Sequence, residues 1–408
     1  MPHPDANSAK TPDRKRIPGR RLLIAPGPTP IPDEVLHATG QQPLDHGDPR
    51  LDELIAACEE GLRWMSGAAP GDEVFIYSSN GHGVWEAVVE NLLAPGEAAL
   101  VPGTGHFSEQ WCLQAEALGR KAVRTPWREG FAIDPAEVEA ALRDDRGHAI
   151  RAVFAVHTDT SSGITSDLAA LRRAIDAARH PALLVADVVA SLGATPYDMA
   201  ALGVNVTLGA SQKGLMCPPG AGFLVVDEKA FAAAGRNPAP RCYWDWLPRK
   251  SPLSYRKFNG TAPQNLLMGL RAAFGLLRAE GLAQVHARHA LLARLVHAAI
   301  DGWREGGALD FFARDRAVLS TSVTTVTVPP GTDVDALRAV ARERFQVAMA
   351  GALGPLTGKA FRIAHLGDSN PAQMLGALGA IEAALRVQGI PVGAGGVSRA
   401  VQALAELG

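Results

Sequence analysis

Short, almost wholly apolar runs alternate with amphipathic stretches, and this alternation restricts the fold more than any other feature of the chain. The runs are Glu73–Tyr77, Ala98–Val101, Lys121–Arg124, Ile150–His157, Ala182–Ala186, Val204–Leu208 and Gly222–Val226. They are β-branched and aliphatic, and several lack the polar alternation of a strand with one wet face. Strands covered on both faces by helices have this character. Between them, Gly83–Leu93, Phe107–Leu118, Pro135–Leu142 and Leu168–Ala178 repeat apolar residues at spacings of three and four, the stripe of a helix lying on a core. The expectation is an α/β layer fold with a mostly parallel sheet.

The pattern changes near residue 264. A long helical stretch runs from Gln264 to Trp303, broken near Glu280-Gly281. It is followed by a strand at Ser320–Val328, a helix from Val334 to Phe345, a strand at Phe361–Ala364 and a helix from Pro371 to Val387. The expected organisation is a flexible tail over 1–20, a large α/β domain over 21–275 and a smaller α+β domain over 276–408.

Composition sets outer limits. Of 408 residues, 47% are hydrophobic and 20% charged, with a formal net charge of −2. Such a chain can bury a large core and is not disordered throughout. The near-zero charge gives no electrostatic case for nucleic acid or an anionic membrane as main partner. The four cysteines, Cys58, Cys112, Cys217 and Cys242, have no paired spacing. Neither a disulfide framework nor a metal site is expected, and a reducing cytoplasm fits. No window approaches the ~20 apolar residues of a membrane-spanning helix. The polar start of the chain, with Arg14, Lys15 and Arg16, does not read as a signal peptide.

Asp187-Val-Val-Ala-Ser191-Leu-Gly193 and Gly209-Ala-Ser211-Gln212-Lys213-Gly214 are the segments richest in chemistry. Asp187 ends an apolar strand, where ligands of open α/β sheets gather. Lys213 follows another strand, among small residues that suit a desolvated amine nucleophile. A lysine and an acid at neighbouring strand ends suit pyridoxal phosphate, the lysine as Schiff-base partner and the acid on the pyridine nitrogen. The plainer alternative is an exposed loop lysine and a turn carboxylate. Ser79-Asn80-Gly81-His82-Gly83 opens a helix and could hold a phosphate on its backbone amides, or be a structural turn. Phe107 could stack on a planar cofactor or sit in the core. The polar run His157 to Gly163 lies at a strand end, for a ligand or for turn chemistry. Arg362, within an apolar run, suits a substrate carboxylate or an internal ion pair.

Together these segments resemble the class V aminotransferases of fold-type I pyridoxal-phosphate architecture, most of all the serine–glyoxylate and alanine–glyoxylate group. The resemblance covers about residues 22–400. It rests on Pro26-Gly27-Pro28-Thr29, Asp45-His46, Gly81 to Glu86, Asp187 to Gly193, Gly209 to Leu215 and Gly358 to Asp368, in this order and spacing.

The resemblance implies pyridoxal 5'-phosphate as cofactor, with Lys213 as its Schiff-base lysine and Asp187 as its pyridinium partner. It puts Phe107 on the ring, and Asn80, Gly81, His82 and Gln212 at the phosphate. Thr160 falls at the phenolic oxygen, and Ser191 and Arg362 at the substrate carboxylate. Phe258-Asn259-Gly260-Thr261 resembles a loop reaching the neighbouring subunit's phosphate, so a homodimer with interfacial sites is implied. The family usually has a tyrosine where Phe258 stands. The implied reaction passes the amino group of serine or alanine to glyoxylate. Pyridoxamine–pyruvate, ureidoglycine–glyoxylate and aminoethylphosphonate–pyruvate chemistry are the alternatives. Against a desulfurase-type lyase stands the lack of any cysteine after Cys242. Against a nicotinamide dehydrogenase stands the lack of GxGxxG.

Overall fold

The computed structural model describes residues 18–406. Arg14, Lys15, Arg16 and most of the expected tail lie outside them. A seven-stranded sheet runs in the order Glu73–Ser78, Ala221–Val226, Val206–Ala210, Leu183–Asp187, Ile150–Val156, Ala98–Val101, Lys121–Arg124. Only Ala221–Val226 runs against its neighbours; the other neighbouring pairs are parallel. Helices cover both faces, burying one apolar core on each.

The expected strands are present with small shifts that have local causes. Val204–Leu208 is displaced to Val206–Ala210 because Asn205 makes the joining bonds instead. Its N–H donates to the Leu184 carbonyl at 2.8 Å, and its Oδ1 accepts from the Leu184 N–H at 2.8 Å. The strand expected from Ser320 begins at Val323, after a turn in which Ser322 N–H donates to Ser320 Oγ at 3.0 Å. The helices Gly81–Leu92, His106–Ala117, Pro135–Asp144 and Leu168–Ala177 match the periodic stretches. The helix Pro49–Ser66 was not among the expected elements. It carries its own start signal, with Asp48 as N-cap and Pro49 in the first turn.

A second sheet of five strands has the order Leu22–Ile24, Val347–Gly351, Ala360–Ala364, Val323–Thr327, Asp310–Phe311. Leu22–Ile24, not among the expected strands, pairs in parallel with Val347–Met349, so a segment expected within the 21–275 unit belongs to the other sheet. The division expected at residue 275 falls inside the helix Gln264–Glu280, whose Leu277 is buried in the first core. The change of core comes within the next helix, Leu282–Arg304, where Val285 belongs to the first and Leu292 to the other. The end of the large sheet is joined to the small one where Arg362 Nη1 donates to the Thr160 carbonyl at 2.9 Å.

Candidate active site

Turns after Ser78, Val156, Asp187 and Ala210 meet at the carboxyl edge of the large sheet, with the start of the helix His106–Ala117 beside them. They enclose a cavity of about 180 Å³. Asn80, Gly81, His82, Phe107, Thr160, Asp187, Gln212 and Lys213, all singled out in the sequence, line it. A larger cleft of about 450 Å³ lies at the amino ends of Ile150–Val156 and Leu183–Asp187. Its only ion pair, Arg151–Glu97, is an exposed contact, and it gathers no nucleophile. Chemistry in open α/β sheets belongs to the other edge.

Asp187 is 5% exposed. Its Oδ1 accepts from the Val189 N–H at 2.8 Å and its Oδ2 from the Trp85 indole at 2.8 Å. Burial pushes its carboxyl up to about 6, against the pull of those two donors and of Lys213. The registers Val156 opposite Asp187 and Asp187 opposite Leu208 set it centrally in the sheet.

Lys213 follows the end of the neighbouring strand Val206–Ala210, after Ser211 and Gln212. Burial lowers its ammonium to about 8, helped by the Arg362 cation and opposed by Asp187. Its Nζ donates to the Pro26 carbonyl. The Pro26–Thr29 segment closes over it: Thr29 N–H donates to the Gln212 carbonyl at 3.2 Å and Thr29 Oγ1 to the Lys213 carbonyl at 3.0 Å. Gly27 has a φ of +138°, which strains any other residue, and a Cβ there would press on the Lys213 side chain.

The helix Gly81–Leu92 begins at the cavity. Asn80 is its N-cap, with Oδ1 accepting from Gly83 N–H at 3.2 Å. The N–H groups of Gly81 and His82 have no intrahelical partner, as in any first turn, and together with the helix dipole they suit an anion. Gln212 Oε1 is buried with no hydrogen-bond partner among the described residues.

Arg362 enters from the small sheet. Its Nε donates to the Gly351 carbonyl at 2.7 Å and its Nη1 to the Thr160 carbonyl at 2.9 Å. The internal ion pair that the sequence left open is not formed among the described residues, and Nη2 makes no bond there. Burial lowers the guanidinium to about 10. A buried cation with a free donor edge, near enough to Lys213 for its charge to act on that amine, suits a carboxylate ligand.

Three expected residues do not line the cavity: Arg362, which touches it only through the Thr160 carbonyl, Ser191 and Thr261. Ser191 is fully buried, and its hydroxyl lies 2.8 Å from His157 Nδ1. Burial lowers that imidazole to about 4, so it is neutral. Ser191 is thus engaged with His157 and does not line the cavity. Thr261 is exposed on the loop before the helix Gln264–Glu280. It does not cap that helix, which starts at Pro263 without a side-chain cap bond.

Sequence reasoning assigned no role to Trp85 or Asp159. Trp85 lies 102 positions from its partner Asp187, and no local spacing links them. Asp159 is fully buried and accepts from Thr104 Oγ1 at 3.1 Å, Phe107 N–H at 3.0 Å and Ser161 N–H at 2.8 Å. It ties the Phe107 turn to the Thr160 turn. Its only sequence signal was its place in the polar run after Val156.

The donor set therefore fits pyridoxal phosphate. It offers an amine of lowered basicity, a buried carboxylate, a helix start for the phosphate and an aromatic wall. Among the described residues no group of three or more His, Cys, Asp or Glu could hold a metal ion, and no helix is long and apolar enough to cross a membrane.

Comparison with known proteins agrees with this chemistry. Residues 22–352 match the family model described as aminotransferase class-V. The chain is 38% identical to a serine–glyoxylate aminotransferase of Methylorubrum extorquens, over 96% of this chain and 98% of that protein. It is 36% identical to an L-aspartate–glyoxylate aminotransferase of Paracoccus denitrificans, over 93% and 95%. Among solved structures, an alanine–glyoxylate aminotransferase from Nostoc sp. superposes with a TM-score of 0.81 at 28% identity, covering 94% of this chain and 100% of that one.

Proposed function

The chain belongs to the class V aminotransferase family, and on that footing we propose that it transfers the amino group of a small L-amino acid, serine or alanine, to glyoxylate, releasing the keto acid and glycine. The cofactor of the family is pyridoxal 5'-phosphate. When bound, it supplies an electron sink that makes the α-C–H of an attached amino acid acidic.

The observation that carries the reading is Arg362, a carboxylate-binding fork left without an acidic partner among the described residues and near enough to Lys213 for its charge to act on that amine. The glyoxylate aminotransferases matched along nearly the whole chain support glyoxylate as acceptor.

Each residue then has a task. Lys213 Nζ holds the cofactor and, once displaced by substrate, moves the α-proton as base and then as acid. Its lowered pKa, about 8, leaves a useful neutral fraction near neutrality. Asp187 takes the ring nitrogen, whose proton it stabilises. Asn80, Gly81, His82 and Gln212 cradle the phosphate. Phe107 covers the ring and Thr160 meets its edge. Arg362 orients the substrate by its carboxylate, so that the α-proton faces Nζ. Ser191, with its hydroxyl on His157, supports the turn after Asp187. Thr261, unengaged in its own subunit, serves the phosphate of a second copy in a homodimer, and the protein works in the cytoplasm.

A second donor, aspartate, is favoured by one observation, the similarity to the Paracoccus protein. Mixing the holoenzyme with single amino acids in the absence of acceptor decides between donors. Loss of the yellow absorption is expected with serine and alanine. Loss with aspartate alone selects the second donor, and loss with none of the three overturns the reading.

A further inference from the structure

The strand end at Asp187 and the helix Gly81–Leu92 are joined by a side-chain hydrogen bond, from the Trp85 indole to the Asp187 carboxylate. We propose that Trp85 is a positioning residue: its N–H on Asp187 Oδ2 keeps that carboxylate ionised and sets how firmly it leaves a proton on the cofactor's ring nitrogen. The inference rests on the reading of Asp187 as the partner of that nitrogen.

An indole can only donate. A bond of 2.8 Å from it to Oδ2 therefore favours the charged carboxylate over the acid. The bond is held in place by packing. Trp85 is 2% exposed. It stacks on Trp111 with centroids 5.2 Å apart and planes 10° apart, and Trp111 stacks in turn on Phe154 at 4.6 Å. The His82 ring lies against Trp85 at 4.6 Å. Packing alone does not account for the aim of the N–H. The neighbouring Trp111 Nε1 is equally buried and has no partner among the described residues, so the stack tolerates an idle indole.

The other groups acting on Asp187 are few. The Val189 N–H holds Oδ1 at 2.8 Å. The Lys213 cation favours the ionised form, and the buried Asp159 carboxylate opposes it. His157 donates its backbone N–H to the Asp187 carbonyl at 3.0 Å, but its imidazole is neutral. Burial also lowers His82. Trp85 is thus one of two fixed donors that offset the burial of this carboxylate. Each oxygen keeps a lone pair for a further donor.

The sign follows. A donor to the ionised form lowers proton affinity. Without it, Asp187 becomes the stronger base, and the shared proton moves along its hydrogen bond from the ring nitrogen toward the carboxylate. No other bond forms or breaks. The ring loses positive charge and with it electron-withdrawing power.

The test is Trp85→Phe, which keeps an aromatic ring in the stack and removes the N–H. Wild type, Trp85→Phe and Asp187→Asn are loaded with pyridoxal phosphate carrying ¹⁵N in the ring, and the ring-nitrogen resonance is read by NMR. Wild type should show a protonated ring nitrogen. Trp85→Phe should shift toward the neutral position, with the proton distribution changed by about tenfold, one unit of pKa. An unchanged resonance in Trp85→Phe, with a clear shift in Asp187→Asn, overturns the role of Trp85 alone. No shift in Asp187→Asn overturns the reading beneath it. Should Trp85→Phe fail to fold or load, ¹⁵N-indole spectra of the holoenzyme serve. The Trp85 N–H signal should move in Asp187→Asn, and a signal indifferent to that change contradicts the proposal.

Discussion

At the residue scale, the chemistry depends on burial changing what two ordinary side chains do. Lys213 is an ammonium in water, but its surroundings bring it to about 8. An amine attacks a carbonyl only when neutral, so capture of the cofactor by the apoprotein should quicken as pH rises and level off above about 8. Stopped-flow mixing with pyridoxal phosphate measures this, and a rate flat from pH 6 to 9 would tell against the assignment. Lys213→Ala should abolish turnover. Arg362→Ala should raise KM for amino acid and glyoxylate together, by about tenfold to a hundredfold, the loss of one charge-assisted contact. Much of this was legible in the sequence. Lys213, Asp187 and Arg362 stand in runs where a solvated residue has no business. The pairing of Ser191 with His157, 34 positions away, could not be read there. Trp85 and Asp159 were passed over for the same reason: their partners are distant in the chain.

At the element scale, the strand set could be read because burial on both faces leaves almost no polar residue in it. Leu22–Ile24 could not, since three residues carry no period. The helix Pro49–Ser66 had a cap and a proline to announce it, yet lay upstream of the alternating pattern. Close approach of elements also has a cost in tolerance. A Cβ at Gly222 would lie 2.7 Å from Val84 Cγ1, where the 79–84 turn crosses the antiparallel strand. Gly222→Ala should destabilise by about 1–3 kcal/mol, the range for overpacking, and loosen the phosphate turn; a Tm equal to wild type would contradict this. In the small domain, His297 Nε2 and His365 Nε2 both meet Thr324 Oγ1, at 3.1 and 3.0 Å. Burial lowers His297 to about 4 and His365 to about 3 from 6.5. Both are neutral when folded and take protons on unfolding, so they lower stability only below pH 6.5, increasingly as pH falls toward 3. Thermal melts from pH 8 to 4 should show Tm falling below about 6.5, and His365→Gln should flatten that fall.

At the scale of the whole molecule, two sheets meet so that one supplies the amine and carboxylate and the other the arginine. The Thr160 carbonyl joins them by accepting from Arg362. Thr261 is exposed and does not line the cavity, and in the proposed homodimer a second copy would receive its loop. Thr261→Ala should then weaken cofactor retention without altering Tm of the apoprotein, and dilution to monomers should release cofactor and activity together. A monomer that stays fully active with its cofactor bound would refute the shared site. The central claim, transamination of small donors with glyoxylate, is tested most directly by glycine formation. The holoenzyme is given serine or alanine with either glyoxylate or 2-oxoglutarate, and both amino-acid products are quantified. The account predicts rapid glycine production from glyoxylate and little glutamate; strong preference for 2-oxoglutarate would contradict it.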